Sequence, residues 1–234
     1  MESRTKDRYP KALYRINGHD GDRSRALISY TIGELDVCLV DPIVFAVGHH
    51  AGDVIRWVAR AELQHRVLFQ DMPNNELMHK LREIGDIIDR QNILICNGDE
   101  VRFNFSIEDA MRNHLDSGAM FTAVVVKPEN AVGNGMLFRV GIDSRVVDVA
   151  KRQEVSEHEH GWGKWLQHAG LMLIRRDALQ VIDASQRDWD SGINLPALRA
   201  GILNAYIARD ALFFNVNSAD EIKKLEAHLA SLRR

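Results

Sequence analysis

Residues 92–100 read NILICNGDE, an apolar run that ends in polar and acidic residues. A short apolar run bounded by turn residues is typical of a strand buried on both faces. In an open parallel sheet, ligands bind beyond the carboxyl ends of the strands. We therefore expect Asn97, Asp99 and Glu100 at the functional edge of a sheet, with Gly98 leaving room for a ligand near the backbone.

Two interpretations of this segment are open from the residues alone. The carboxylate of Asp99 is a hard oxygen ligand that suits Mg²⁺ and phosphate-bound Mg²⁺. Asn-Gly-Asp is also a common turn after a strand. A second apolar segment, LFFNVN, ends in Asn215 and Asn217 before a predicted helix. Amide oxygens are weaker metal ligands than carboxylates, and a plain helix-entry loop is the simpler explanation of these two asparagines.

Apolar runs alternate with amphipathic patterns along the whole chain, and this alternation indicates an α/β fold. The predicted architecture is a doubly wound, mostly parallel sheet with helices on both faces. No linker or repeat is visible, so residues 1–234 are predicted to form a single domain. Helices are predicted over 23–36, 51–63, 74–89 and 106–118 and at the end of the chain, with caps at Asp53, Ser106, Gly118 and Ser218. Strands are predicted over 42–50, 65–71, 92–100 and 119–128, with a hairpin over 133–152 and a strand leading into a helix over 169–179.

The composition is that of an ordinary globular protein, with 45% hydrophobic and 27% charged residues and a net charge of −3. No basic stripe suited to a nucleic-acid backbone is present, and no apolar run approaches the ~18 residues of a membrane helix. Cys38 and Cys96 lie far apart and suggest neither a disulfide framework nor a metal site. We expect a reduced, cytoplasmic protein that binds neither nucleic acid nor membrane.

Two lysines are candidates for binding an anionic ligand. Lys11 follows Pro10, which fixes its own backbone and pushes the preceding residue toward an extended conformation. Lys151 ends the predicted hairpin, where a solvated lysine is the commoner explanation.

In this order and spacing, the features resemble the sugar-phosphate nucleotidyltransferases (NDP-sugar pyrophosphorylases). TKDRYPKAL looks like the second half of the family's signature loop, which runs G-G-x-G-T-R, a few residues, then P-K. NGDE matches the family's metal-binding Gly-Asp. AKRQ at 150–153 takes the place of Glu-Lys-Pro, HAG at 168–170 stands for Asn-Ala-Gly, and FFNVNSADEI stands for the final strand and helix start. The resemblance covers nearly the whole chain.

The resemblance implies a GT-A, Rossmann-like nucleotidyltransferase fold and a Mg²⁺-dependent enzyme of nucleotide-sugar biosynthesis. Its substrates would be a nucleoside triphosphate and a sugar 1-phosphate, and a homo-oligomer is left open. Pyrophosphate would leave as the nucleoside monophosphate is transferred to the sugar phosphate. The implied roles are catalysis for Lys11 and Asp99, metal binding for Asp99, Asn215 and Asn217, and substrate binding for Asn97, Gly98, Lys151, His168 and Gly170.

The chain also departs from the family pattern. Met1 stands where the residues after G-T-R should begin, so the first strand and the glycine-rich half of the loop are missing. We expect the gene to start upstream of Met1, and the chain as written to be less stable and a poor catalyst. Ala150 and His168 replace the family's Glu and Asn, and no segment that reads the nucleobase is visible over 70–80. The alternative is a non-catalytic relative that binds a nucleotide or sugar phosphate as a regulator or assembly partner.

Overall fold

The computed structural model describes residues 10–17, 25–36, 41–48, 50–61, 63, 66–71, 77–156, 165–186 and 188–232. The strands are β1 (Arg15–Ile16), β2 (Arg25–Ala26), β3 (Ile43–Val47), β4 (Val67–Asp71), β5 (Asn92–Cys96), β6 (Glu100–Phe103), β7 (Phe121–Val126), β8 (Ala131–Val132), β9 (Met136–Val140), β10 (Val146–Lys151), β11 (Trp165–Arg175), β12 (Leu203–Ile207) and β13 (Leu212–Asn215). The α-helices are α1 (Leu27–Asp36), α2 (Ala51–Arg60), α3 (Leu77–Ile87), α4 (Ile107–Ser117), α5 (Leu195–Arg199) and α6 (Ala219–Ser231). Short helical turns occupy Lys11–Leu13, Pro128–Asn130, Arg152–Glu154, Arg176–Val181 and Asp190–Asn194.

Strand β11 is the centre of a six-stranded sheet. It runs antiparallel to β7 on one side, and antiparallel to both β9 and β5 on the other. Strand β12 joins β7 in parallel, and β10 joins β9 as an antiparallel hairpin. Three smaller sheets lie outside this one among the described residues: an antiparallel pair of β1 and β2, a parallel pair of β3 and β4, and a three-stranded sheet in the order β6-β13-β8.

The α/β class is confirmed, but the sheet is mixed where the sequence suggested a mostly parallel one. The physical reason is that β11 is apolar on both faces, a pattern typical of parallel strands, although it runs against its neighbours. An apolar run reports burial and carries no information about strand direction.

Two apolar clusters lie on opposite faces of the six-stranded sheet. Along β11, Leu171 and Leu173 belong to one cluster, while Met172 and Ile174 belong to the other, as the alternation of side chains along a strand requires. The first cluster includes residues of α1, α2 and α4, and the second includes residues of α3 and α5. Helices therefore cover both faces of the sheet, as the sequence predicted.

Three of the predicted helix caps are confirmed, but α2 begins at Ala51, so Asp53 lies in its first turn and does not cap it. The hydroxyl of Ser106 accepts a hydrogen bond from the backbone of Asp109, and Gly118 ends α4 with a φ of 62°. The hydroxyl of Ser218 accepts from the backbone of Glu221 at the start of α6. Within the described ranges, no helix combines the length and the hydrophobicity needed to cross a membrane.

Candidate active site

Three residues from distant parts of the chain meet beyond the carboxyl end of β5. The ammonium of Lys11 donates hydrogen bonds to the carboxylate of Asp99 and to the side-chain oxygen of Asn217. Lys11 begins a short helical turn directly after Pro10, whose φ is −65°. Asp99 lies in the turn between β5 and β6, and Asn217 lies between β13 and α6. The structure thus brings together three of the residues that the sequence singled out.

A fourth predicted residue, Asn215, joins the site through Asn217. The side-chain amide of Asn217 donates to Asn215 Oδ1 over 2.5 Å, and Asn215 Nδ2 donates to the backbone oxygen of Asn134 over 2.8 Å. The backbone N–H of Asn217 donates to Glu221 Oε2 over 2.6 Å, so the first turn of α6 holds it in place. We call the following four residues the Lys11 cluster: Lys11, Asp99, Asn215 and Asn217.

The oxygens of the Lys11 cluster fit a divalent cation. Two of them, on Asp99 and Asn217, already contact a cation, the ammonium of Lys11. Mg²⁺ is commonly held by one or two carboxylates, with water and substrate phosphates completing its shell. No group of three or more His, Cys, Asp or Glu residues within the described ranges could hold a metal ion. Binding of Mg²⁺ at this site stays a prediction.

A buried ionic network lies beside the Lys11 cluster. Arg102 Nε donates to Glu34 Oε2 over 2.9 Å, and its Nη1 donates to the backbone oxygen of Ala169 over 2.9 Å and to Glu100 Oε2 over 3.5 Å. Glu100 Oε1 in turn accepts from Asn97 Nδ2 over 3.0 Å. Burial raises the pKa of both Glu34 and Glu100, and the guanidinium of Arg102 opposes that effect. This network fixes the side chain of Asn97, a predicted substrate-binding residue.

The turn that carries Asp99 is held by α1 and by the segment after Lys11. The hydroxyl of Thr31 donates to the backbone oxygens of Asn97 and Glu100, at 3.3 and 3.2 Å. A Cβ on Gly98 would lie 3.4 Å from the Cβ of Ala12. Gly98 therefore permits the close approach of Ala12, and the approach of a ligand to this glycine stays a prediction.

His168 and Gly170 lie in β11, at the point where its register shifts against β7. The ring of His168 stacks on Phe138, with the centroids 5.1 Å apart and the planes at 6°, and Nε2–H donates to the backbone oxygen of Leu171 over 3.3 Å. Burial lowers the pKa of His168 to about 4, so its ring is neutral at pH 7. Gly170 lies against Glu100 and so borders the buried network. Sugar binding by His168 and Gly170 stays a prediction.

Lys151 is exposed at the end of β10. Burial raises the pKa of Asp190, and the charge of Lys151 opposes that effect. Asp190 begins a π-helical turn and accepts a hydrogen bond from Asn194 over 2.9 Å. A role for Lys151 in binding a sugar phosphate stays a prediction.

Sequence reasoning missed two residues that shape the site, Arg102 and Trp189. A charged residue in a short segment after Asp99 is ordinarily solvated, and the apolar alternation of Val101 and Phe103 around Arg102 was the one available signal of its burial. Trp189 lines a cavity of about 720 Å³ together with Lys11, Asn97 and Asp99. No pattern in the sequence connects Trp189 with those residues.

The overall fold of the chain is that of the sugar-phosphate nucleotidyltransferases. The solved structures that share it include HddC from Yersinia pseudotuberculosis, with a TM-score of 0.70 and 13% identity over 94% of this chain and 90% of that chain. HddC complexed with GMP-PN has a TM-score of 0.69 and 15% identity, over 97% of this chain and 95% of that chain. The inositol-1-phosphate CTP transferase from T. maritima has a TM-score of 0.71 and 14% identity, over 98% of this chain and 90% of that chain. No family model and no curated protein matches the sequence.

Proposed function

We propose that this chain catalyses transfer of a nucleoside monophosphate from a nucleoside triphosphate to a sugar 1-phosphate, releasing pyrophosphate. The observation that carries the proposal is the contact of Lys11 with Asp99 and Asn217 at the edge of the cavity. Two relatives by fold support the substrate classes: one was solved with GMP-PN, and the other is named for CTP and inositol 1-phosphate.

The chemistry requires two anions to approach each other. An oxygen of the sugar phosphate attacks the α-phosphorus of the triphosphate, a new P–O bond forms, and pyrophosphate leaves with the electrons of the bond that breaks. Such reactions are accelerated mainly by positioning and by neutralising charge. Mg²⁺ bound at the Lys11 cluster would supply part of that neutralisation. The ammonium of Lys11 supplies a fixed positive charge and needs no change of protonation.

The residues around Lys11 orient it for this task. Asp99 and Asn217 accept its hydrogen bonds and hold the ammonium at one place. The turn carrying Asp99 is anchored to α1 through Thr31, and Asn217 is anchored to α6 through Glu221. When substrate phosphates enter, Lys11 can exchange one of these acceptors for a phosphate oxygen. Lys151, at the end of the β9–β10 hairpin, is proposed to bind the sugar phosphate.

The test is ligand binding followed by turnover. Thermal melts are recorded with Mg²⁺ and each nucleoside triphosphate in turn, and pyrophosphate release is then measured with a panel of sugar 1-phosphates. A ligand at about 100 times its Kd stabilises by about 2.7 kcal/mol. At roughly 2–4 °C per kcal/mol, the melting temperature should rise by several degrees with one nucleobase.

Matched variants tie any effect to the site. Lys11→Met and Asp99→Asn should abolish the Mg²⁺-dependent shift and reduce turnover by roughly 10²–10³. Lys223→Met and Asp143→Asn, at exposed positions, should change neither. If Asp99→Asn keeps the full shift and turnover, the site assignment is wrong. A nucleotide-dependent shift without any pyrophosphate release would favour the binding-only relative, and a cooperative melt that no nucleotide moves would reject the proposed function.

A further inference from the structure

The guanidinium of Arg152 binds the backbone of the segment between β7 and β9. Its Nη1 donates to the backbone oxygens of Ala131 and Gly133, both over 3.4 Å, and its Nη2 donates to that of Pro128 over 3.2 Å. The side-chain oxygen of Gln167, in β11, also accepts from Nη1 over 3.3 Å. One side chain therefore ties three carbonyl groups of this segment to the central strand of the sheet.

The same segment contacts the Lys11 cluster through Gly133, Asn134 and Gly135, which we call the glycine loop. The backbone oxygen of Asn134 accepts a hydrogen bond from Asn215 Nδ2 over 2.8 Å. Gly133 has a φ of 97°, and a Cβ at this position would lie 2.5 Å from the backbone oxygen of Asn215. The absence of a side chain at Gly133 therefore lets the glycine loop lie directly against Asn215.

The hydrogen bond to Asn134 decides which way the amide of Asn215 faces. An asparagine amide has an acceptor oxygen and a donor nitrogen, and its orientation is set by its partners. Because Asn215 Nδ2 donates to Asn134, Asn215 Oδ1 is left to accept from Asn217 Nδ2. That bond in turn leaves Asn217 Oδ1 to accept from the ammonium of Lys11. One carbonyl of the glycine loop thus orients two amides of the Lys11 cluster.

We propose that Arg152 is a positioning residue of the candidate active site, holding the glycine loop where Asn134 orients the amides of Asn215 and Asn217 for a divalent cation. Every hydrogen bond that its guanidinium donates to a described residue goes to Gln167 or to the segment 128–133, so its influence passes through the glycine loop. The orientation of the amides stands on these contacts, whereas its effect on a cation rests on the proposed function.

The charge of Arg152 and its positioning role act on a bound cation in opposite directions. A positive charge disfavours a second cation nearby, so loss of the charge alone would strengthen Mg²⁺ binding. Loss of the positioning would weaken it, because groups that orient metal ligands typically contribute about 10–100-fold in metal affinity. The sign of the change therefore separates the two roles. Arg152→Lys keeps the charge without the planar fork of donors, and so isolates the positioning role.

The first measurement needs neither metal nor substrate. In isotope-labelled protein, exchange of the Asn215 side-chain amide protons with water is compared by NMR among the unmodified chain, Arg152→Lys and Arg139→Lys. Arg139 is the matched control, since it is exposed on β9 and pairs with Asp148. Exchange at Asn215 should be roughly two- to tenfold faster in Arg152→Lys alone, the factor expected for one weakened hydrogen bond. The amide of Asn17, which donates to Glu226 over 3.0 Å, should be unchanged in both variants.

The second measurement is the Mg²⁺ concentration that gives half of the nucleotide-dependent rise in melting temperature. Arg152→Lys should raise this midpoint roughly tenfold, and Arg152→Met should also raise it despite the lost charge. Arg139→Lys should leave it unchanged. Because Arg152 acts through Asn215, adding Arg152→Lys to Asn215→Ala should raise the midpoint no further than Asn215→Ala does alone.

The two measurements keep failure of the proposed function apart from failure of the positioning role. If the melting temperature of the unmodified chain does not respond to Mg²⁺ and nucleotide, the proposed function is rejected, and the amide of Asn215 still decides whether Arg152 positions it. The positioning role is overturned if exchange at Asn215 is the same in Arg152→Lys and the unmodified chain. It is also overturned by a Mg²⁺ midpoint that is unchanged in Arg152→Lys and lower in Arg152→Met, because charge alone would then explain the effect. Fully additive effects of Arg152→Lys and Asn215→Ala would likewise show that Arg152 does not act through Asn215.

Discussion

Gly170 lies directly against the carboxylate of Glu100: a Cβ at position 170 would fall 1.5 Å from Glu100 Oε2. Gly170 also has a φ of 63°, in the left-handed region that favours glycine. The absence of a side chain at 170 therefore gives Glu100 its place between Asn97 and Arg102. The predicted sugar-binding segment and the predicted metal-binding turn are joined by this contact.

Substitution Gly170→Ala should destabilise the protein by about 3 kcal/mol or more, because it adds a steric clash to an unfavourable backbone conformation. Gly201→Ala is the matched control, since Gly201 has a φ of 69° and no atom within 4 Å of its added Cβ. Gly201→Ala should lower the free energy of unfolding by only about 1 kcal/mol. Urea unfolding measures both values, and equal costs for the two variants would show that Glu100 does not depend on the space at Gly170.

Replacing Arg102 should lower the free energy of unfolding more than replacing most other residues. Its side chain is 1% exposed and that of Glu100 is 5% exposed, so Arg102→Met leaves buried carboxylates without their cation. Removing one partner of a buried ion pair typically costs about 3–5 kcal/mol. Arg139→Met, which breaks the exposed pair with Asp148, should cost about 1 kcal/mol or less.

The pH dependence of the Arg102→Met variant provides a second measurement. Burial raises the pKa of Glu34 and Glu100 above the unfolded value, so the folded state holds their protons more tightly than the unfolded chain does. Without Arg102 this difference grows. The stability deficit of Arg102→Met relative to the unmodified protein should therefore shrink as the pH falls from 7 to 5, and a deficit independent of pH would contradict this account.

His114 should make the protein less stable in acid. Its Nε2–H donates to Asn92 Oδ1 over 3.2 Å, and its Nδ1 accepts from the hydroxyl of Thr122 over 2.8 Å, so the ring is held neutral. Burial lowers the pKa of His114 from 6.5 to about 4. Between these two values the unfolded state binds more protons, and stability falls as the pH falls, by up to about 3 kcal/mol.

Replacing His114 by glutamine tests this window. His114→Gln should flatten the loss of stability between pH 6.5 and 4, measured by urea unfolding across the range. His79→Gln, at a position 56% exposed, should leave the profile unchanged. An unchanged slope in His114→Gln would assign the acid sensitivity to other groups, such as His168.

Much of the fold could be predicted because local patterns specify it. Apolar runs located β3, β5, β7 and β11, and Ser106, Gly118 and Ser218 set helix ends through their own side chains or backbone. The contacts of Lys11 with Asp99 and Asn217 followed from family spacing, since no local rule joins residues so distant in sequence.

The strand direction of β11 and the burial of Arg102 depend on tertiary packing. Strand β11 is antiparallel because of the strands that pair with it. The buried guanidinium of Arg102 is stable because Glu34, Glu100 and the backbone oxygen of Ala169 accept its hydrogen bonds. Neither fact is encoded in a short window of sequence.

Asn217 should control the affinity of the Lys11 cluster for a divalent cation. Asn217→Asp places a second carboxylate beside Asp99, and an added unit charge at about 4 Å contributes roughly 1–4 kcal/mol between water and protein-surface conditions. The Mg²⁺ concentration giving half of the ligand-induced rise in melting temperature should fall roughly tenfold, whereas Asn217→Leu should raise it. Asn113→Asp, on the exposed face of α4, adds the same charge elsewhere and should leave the midpoint unchanged. A Mg²⁺ midpoint that is the same in Asn217→Asp, Asn217→Leu and the unmodified protein would place the cation away from Asn217.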